Sequence, residues 1–522
     1  PSTSYGLVAE WVEVQKDFSA AKFRLRPEAA FHDGRPITPD DVVFTFEALT
    51  RNDPKYIDYY KDVAKVEASG EREVTFHFAV KGNRELAHIV GDMPILPRHY
   101  WEAKGADGTR RDIAKATLEP PLGSGPYRIK SLEAGRHIVY ERVKDWFAAK
   151  LPVMRGQWNI DEIKFIYFDD RQVAFNDFKA GNLDYWREPS AKGWATGYDF
   201  DAVKRGHVKR SEVKLASLHP MQGFAFNLRR PQFQDWRVRR AFDLCFDFDG
   251  LNKKIMFSAY KRVESFFEGS ELKATGIPEG REKAILEEIR PLVPADIFTT
   301  PYRTPHHTSL TEARANMREA QRLLAEAGWR IDPASTGKPV LKKASGEVLT
   351  AEFLIVSRDF ERLILPYIKE LESLGIHASV RIVDSSQYIK RRSSFDFDIV
   401  VASFGQSISP GNEQREFWGS AAADREGTRN IIGIKDAGID ALIEKVIFAK
   451  DRVELVAATR ALDRLLMRGH YLVPQWYGPV ERIAHWDMLG RPETLPARSV
   501  AFPRVWWVDP DAQKRLAVAR GR

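Results

Sequence analysis

The sequence predicts an α/β protein with mixed sheets, and three stretches carry that expectation. Residues 349–383 read as an apolar strand (AEFLIVS), an amphipathic helix through Ile364, Ile368 and Leu371, a stop at Gly375 and a second strand (HASVRIV). That is a β–α–β unit, which implies a parallel sheet nearby. Residues 395–404 (FDFDIVVASF) alternate at first and then turn apolar throughout, as a central strand does. Residues 74–80 (VTFHFAV) alternate as a strand with one wet face should. Strands interleaved with helices make α/β the fold class.

From the amino end, residues 23–26 (FRLR) repeat the strand pattern and run into a turn at Phe31-His32-Asp33-Gly34. Thr38 then caps a helix, Pro39 fits its first position, Asp40 and Asp41 suit its positive end, and Val42, Phe46 and Leu49 face one way. A second helix opens with the capping box Ser309/Glu312, carries the stripe Ala313, Met317, Ala320, Leu324 and Ala327, and stops at Gly328. The Gly/Ser/Pro loop 405–412 follows strand 395–404 at its carboxyl end, where open α/β sheets place ligands. The Pro-rich stretches 119–126 and 291–305 are expected to be domain crossings. No fixed-period repeat or low-complexity tract occurs.

The 522 residues exceed what one core organises, since single cores stop growing at roughly 250 to 300 residues, so two or three domains are expected. The 31 Phe, 16 Tyr and 13 Trp exceed what a disordered chain carries and suggest a ligand cleft. Eighty basic against 73 acidic residues give +7, mixed along the chain; nucleic-acid binders concentrate such charge on one face, so no nucleic acid is expected. The lone Cys245 excludes an internal disulfide and a multi-cysteine zinc site. No run approaches the roughly 18 apolar residues that span a bilayer, and residue 1 opens no signal peptide; the expectation is a soluble chain with any export signal already removed.

Catalytic and metal motifs are weak. His306 and His307 are adjacent, so on an extended segment they point to opposite faces, and no Cys or HExxH partner accompanies them. His32-Asp33 looks like an acid–base pair, yet Asp33-Gly34 is what a tight turn requires. Gly123-Ser124-Gly125 lacks the GK[ST] ending of a phosphate loop. No G-x-S-x-G occurs, and Cys245 falls on a helix face shared with Val238, Ala241 and Phe242, away from any base. No catalytic residue, metal or cofactor is expected.

Several separated motifs resemble the extracellular solute-binding proteins of the peptide and nickel importer class (family 5). FRLRPEAAFHDGRPITPDDVVFTFEAL (23–49) resembles that family's signature, GSGPYRI from Gly123 its strand entry, and FNLRRPQFQDWRVRRAFDLCFD from Phe226 its N-x-x-x-x-P-F-x-D-x-R-V-R-x-A helix. FDFDIVVASF and AGIDALIEKV from Ala437 continue the match in the family's order. SFFEGSELKATGIPEGREKAILE from Ser265 resembles the YejA-type oligopeptide-binding branch, although PHHTSLTEARANM lacks the DGSG that branch carries before its helix. The resemblance implies a periplasmic-binding-protein-like fold of type II with three lobes and a hinge between two large ones. The expected lobes are 1–158 (small accessory), 159–260 plus 477–522 (base) and 261–476 (ligand-closing). It also implies a further N-terminal stretch, with one base-lobe strand, ahead of Pro1.

For a receptor of varied peptides, backbone hydrogen bonds to an extended ligand are favoured over side-chain readout, and Ser403, Phe404 and Gly405 are the expected edge. In the family's peptide binders a carboxylate just past this edge holds the ligand's ammonium; the register places Ser407 there, so either Glu413 substitutes or the amino end is held otherwise. Gln406 and Tyr388 complete the expected contacts around this edge. Arg391 and Arg392 stand where relatives meet a carboxyl terminus, or form a solvated pair on a turn. Tyr260, Arg262 and Phe267 fall at the crossing between lobes and Trp476 and Tyr477 at the return crossing, to stack on a ligand or pack in the core. Asn227 either meets a ligand backbone or caps its own turn, and Trp418 either meets a ligand or packs.

The expected partners are a peptide or peptide-like ligand and the membrane permease and ATPase subunits of an ABC importer, with the binding protein a periplasmic monomer. Rival expectations are an opine, sugar conjugate, haem or metal chelate as the solute, a hydrolase built on the fold, or docking on a chemoreceptor alongside transport. The basic balance favours acidic or neutral ligands over strongly cationic ones.

Overall fold

The computed structural model describes residues 3–519. The chain forms two compact units: one runs up to Ala216 and resumes at Val480, the other is Ser217–Pro479.

In the first unit an antiparallel sheet has the order Ala9–Val14, Ala20–Leu25, Glu73–Phe78, Val63–Gly70. The helix Pro39–Asn52 starts with a full capping box between Thr38 and Asp41 and buries Val42 on this sheet, with Phe46 and Leu49 against the same core. The turn before it holds the next motif in place: His32 N–H donates to Gly123 O at 2.8 Å and the His32 ring bonds Gly125 O at 2.9 Å. A Cβ on Gly123 would stand 3.3 Å from that ring, so a side chain there would crowd the contact. Asp33 accepts from the Arg35 N–H at 3.1 Å, the turn role read from the sequence. A separate core gathers Phe175, Phe178, Ile483, Trp486 and Trp506, over a sheet in which Glu481–Trp486 lies between Tyr185–Arg187 and Val208–Val213.

In the second unit we label, in chain order, β1 (Met221–Phe226), α1 (Trp236–Leu244), β2 (Lys261–Arg262), α2 (Leu310–Glu326), β3 (Thr350–Ile355), α3 (Arg358–Ser373), β4 (His377–Ile382), α4 (Ser385–Ser393), β5 (Ile399–Phe404), α5 (Arg452–Arg468), β6 (Leu472–Pro474) and β7 (Trp476–Tyr477). The main sheet has the order β4-β3-β5-β1-β6. The pairs β3/β4 and β3/β5 are parallel, β5/β1 and β1/β6 antiparallel, so the sheet is mixed. The strands β3, β5 and β1 send buried apolar side chains to both faces, whereas the edge strand β4 exposes His377, Ser379 and Arg381. Phe224, Phe353 and Ile399 enter one core; Ala225, Leu354 and Val400 enter the other.

The predicted β–α–β unit is present as β3–α3–β4, with Gly375 at φ +93° before the second strand. Strand 395–404 is shorter than its pattern suggested. β5 begins at Ile399, because Phe395 takes φ +57° and the two aspartates serve side-chain pairs instead of a wet face. Asp398 accepts from the Glu352 N–H at 3.1 Å and lies 3.1 Å from Arg230, while Asp396 pairs with Arg391 at 3.0 Å. At α2 the capping box is offset by one residue: Ser309 accepts from Glu312 N–H, but the Glu312 carboxylate takes the Thr308 N–H and hydroxyl at 3.0 and 2.7 Å.

The two units divide the chain differently from the three expected lobes. Residues 217–260, expected in the base lobe, belong to the second unit, because β1 is bonded between β5 and β6 in its sheet. The chain passes between the two units at 216/217 and 479/480. Neither Pro-rich stretch is a crossing: 119–126 lies inside the first unit, and 291–305 inside the second, where it buries Val293 and Ile297.

Candidate functional site

The candidate ligand edge is a strand paired on one side only. β1 follows β5 to its end (Met221 opposite Phe404), whereas β3 meets it only at Ile399 and Val400. From Val401 onward the second side of β5 has no strand partner among the described residues. Tyr388 of α4 closes the start of the gap, its hydroxyl donating to Val401 O at 3.1 Å. Burial pushes the pKa of that hydroxyl up, so it stays a donor. Side chains alternate as a strand requires: Ser403 is exposed, Phe404 is buried with its ring 4.8 Å from Trp418, and Gly405 is exposed. A Cβ on Gly405 would meet nothing within 4 Å, so this end of the edge is open.

The following loop is cross-linked by its own hydrogen bonds, with one group left over. Ser407 Oγ accepts from the Ser409 N–H at 3.0 Å. Glu413, the expected substitute carboxylate, accepts from the Gly411 N–H and from Gln414 Nε2, each at 3.0 Å. Gln414 Nε2 also donates to Gln406 Oε1 at 2.7 Å, and Gln414 Oε1 accepts from Trp418 Nε1–H at 2.9 Å. Gln406 Nε2 is left buried without a hydrogen-bond partner.

The two arginines divide. Arg391 is held by Asp396 at 3.0 Å and Glu352 at 3.1 Å. Arg392, in the last turn of α4, has no carboxylate partner among the described residues, and its Nε lacks a hydrogen-bond partner. Arg392, not Arg391, retains a guanidinium that an added carboxylate can engage.

The residues expected at the two crossings meet each other. β2 and β7 pair antiparallel, Lys261 with Tyr477 and Arg262 with Trp476. Tyr260 and Tyr477 are half-buried, and the His219 ring stacks on Tyr477 with centroids 3.9 Å apart. Trp476 is nearly enclosed by Phe246, Phe248 and Phe360. For four of the expected contacts, burial favours the packing or capping alternative. Arg262 is 5% exposed and bonds Asp243 at 3.1 Å; burial lowers its pKa. Phe267 and Trp418 are core residues with no exposed surface. Asn227, 1% exposed, donates to Phe395 O and Phe397 O and accepts from the Arg229 N–H at 3.2 Å, so it caps its own turn.

Sequence reasoning missed Gln222, Gln475 and His219. Gln222 stands opposite Ser403; its Nε2 donates to Gln475 Oε1 at 2.8 Å and its carbonyl accepts from the Gln475 N–H at 2.8 Å. These contacts join the β5 edge to the β7 aromatics. The available signal was a glutamine inside each of two apolar runs, MQGFAF and LVPQWY.

Residues 3–425 match the family model of the bacterial extracellular solute-binding proteins, family 5 middle region. The chain belongs to that family. Among family 5 relatives it is 49% identical over 508 residues to the uncharacterized protein y4wM of Sinorhizobium fredii, covering 97% of this chain and 76% of that one. It is 47% identical over 508 residues to the probable peptide-binding protein YejA of Agrobacterium fabrum, covering 97% and 82%. The oligopeptide-binding protein AppA of Bacillus subtilis, solved with a nonapeptide, superposes with a TM-score of 0.75 at 20% identity, covering 96% of this chain and 90% of that one. The fold is therefore that of the family 5 binding proteins, with mixed α/β sheets, and the YejA-type resemblance of residues 265–287 agrees with the relative of that name. Among the described residues no three His, Cys, Asp or Glu side chains converge as a metal site requires, and no helix is long and apolar enough to cross a membrane.

Proposed function

We propose that the chain is the periplasmic substrate-binding component of an ABC importer. It captures oligopeptides or peptide-like compounds, delivers them to membrane permease and ATPase subunits, and catalyses no reaction. The half-open strand β5 supports this reading most directly: past Val401 one side has no strand partner among the described residues. An extended ligand added there gains main-chain hydrogen bonds whatever its side chains, which is what a receptor for mixed sequences needs. The open space at Gly405 admits the ligand backbone, and Arg392 offers a fork for its carboxylate.

Native mass spectrometry of the purified protein, followed by denaturation and identification of what is released, tests the proposal. Short peptides of mixed sequence are the expected result; one defined non-peptide molecule would overturn it. Gly405→Leu fills the open space and is expected to weaken peptide binding about tenfold or more, about 1.4 kcal/mol or above, with an unchanged melting temperature.

A second reading, a non-peptide solute at the same edge, is favoured by the loop beyond it. Ser407 carries no charge and Glu413 is engaged by Gly411 and Gln414, so a ligand without a free ammonium suits this loop better than the usual peptide amino end.

A further inference from the structure

Between the helix Phe248–Lys254 and β2 the chain turns through residues 255–260, and two of them are strained. Phe257 and Ser258 take φ +57° and +53°, left-handed values that glycine adopts freely and a bulky residue avoids. Both are exposed, so their side chains do little to hold the conformation. Such backbone persists only where its surroundings fix it, and it collects at ligand clamps and active sites.

The residue that fixes it is Asn252, in the last turn of that helix. Its carbonyl accepts from the Met256 N–H at 3.2 Å and from the Ser258 N–H at 2.9 Å. Its side chain spans the loop: Nδ2 donates to Tyr260 O at 2.9 Å, and Oδ1 accepts from the Tyr260 N–H at 3.3 Å. One carboxamide thus takes both backbone groups of one residue, as a neighbouring strand would. Asn has this donor and acceptor at this reach, whereas Asp lacks the donor and Gln is longer by a methylene. Leu251 and Met256, 7% and 5% exposed, anchor the loop in the core that Tyr260 packs against.

The latch acts where the chain enters β2. The two residues after Tyr260 pair with β7, Lys261 with Tyr477 and Arg262 with Trp476. The half-buried Tyr260 ring stands edge-on to Trp476, centroids 6.4 Å apart. Trp476 follows Gln475, whose bonds to Gln222 lead to the Ser403 position of the β5 edge. We propose that Asn252 is a positioning residue of the ligand site, holding Tyr260 so that the open part of its ring meets an aromatic or large apolar side chain of a bound peptide. Aromatic pairs gain attraction beyond the area they bury, so a ring held in one place favours such a side chain. The assignment rests on the reading of the β5 edge as a peptide site.

Isothermal titration calorimetry of the full chain with tetra-alanine and its single-phenylalanine variants tests it. At least one phenylalanine peptide is expected to bind the wild type about fivefold or more tighter than tetra-alanine. Tyr260→Ala and Asn252→Leu should each cut that preference to about twofold or less, with the tetra-alanine affinity itself moved by no more than about twofold, which shows a folded variant. Asn252→Asp keeps an acceptor for the Tyr260 N–H but turns a carboxylate oxygen on Tyr260 O; it should lose the preference too, and carries the test if Asn252→Leu does not fold. Ser258→Gly relaxes one strained residue, keeps the latch and should retain the full preference. A preference absent from the wild type, surviving in the Asn252 variants or lost in Ser258→Gly would overturn the assignment, while binding of tetra-alanine leaves the peptide site standing. If the wild type binds none of these peptides, the peptide reading itself fails and the assignment with it.

Discussion

Arg262→Met is expected to destabilise the second unit and leave ligand affinity unchanged in the folded protein. The Arg262 guanidinium lies 3.1 Å from Asp243 and donates to Phe246 O at 3.3 Å, with both charged residues buried. Removing one partner of a buried ion pair costs about 3–5 kcal/mol, because the other charge stays desolvated. Asp243 keeps Arg240 at 2.7 Å and the Tyr302 hydroxyl at 3.4 Å, which places this substitution near the lower end, about 3 kcal/mol. In a unit of this size each kcal/mol lowers the melting temperature by about 2–4 °C, so a fall of about 6–12 °C is expected in scanning calorimetry. Adding Asp243→Leu should recover part of the loss, since the double variant buries no unpaired carboxylate and Arg240 can turn to solvent. Calorimetric titration with peptide, well below the melt, is the second measurement. An affinity loss of about tenfold with an unmoved melting temperature would refute the reasoning and return Arg262 to the ligand contacts.

Three other outcomes follow from the same geometry. Arg392→Ala should weaken binding of peptides with a free carboxyl terminus by about tenfold or more and leave amidated peptides untouched, on the strength of one lost charged hydrogen bond; equal effects on both would remove Arg392 from that role. Burial pushes the Asp463 carboxyl from 3.8 up to about 6, against the pull of its bonds from Ala274, Ser265 and Phe266. The folded state therefore holds this proton more tightly than the unfolded chain, so its contribution to stability falls by about 3 kcal/mol as pH rises from below 4 to above 6. Urea melts across that range should show the slope flattened in Asp463→Asn, and an identical slope would contradict the assignment. Thr38→Ala removes the hydroxyl arm of the cap on helix Pro39–Asn52 while the Asp41 carboxylate keeps the Thr38 N–H, and should cost about 1 kcal/mol in thermal melts, a loss that Thr38→Ser largely restores.

Where the sequence was legible, the signal was local. The β3–α3–β4 unit, the Thr38 cap and the Gly375 stop each depend on residues within one element, and each was readable from periodicity or capping chemistry. Where it was not, the deciding contact was distant in the chain. FDFD alternates like a strand, but Asp396 and Asp398 are claimed by Arg391, Arg230 and the Glu352 N–H, so β5 starts four residues later. The unit boundary lies at 216/217 because β1 pairs with a strand some 180 positions on, which composition near residue 260 does not reveal. At the ligand edge, sequence located the strand and its loop, yet which side of β5 is unpaired follows only from where β3 stops. Side-chain type alone did not separate Arg262, buried on Asp243, from Arg392, which has no such partner.

The placement of Glu481–Trp486 between Tyr185–Arg187 and Val208–Val213 has a consequence for biosynthesis. Synthesis proceeds from the amino end, and domains tend to fold as they emerge. The second unit is one continuous stretch, Ser217–Pro479, and has all its own strands before the first unit receives this one. Until then the strands at 185–187 and 208–213 have inner edges with no partner between them, a state in which exposed edges invite wrong pairing. The first unit, begun earliest, is thus finished last. A truncation ahead of Glu481 would remove the middle of a sheet and not merely a tail.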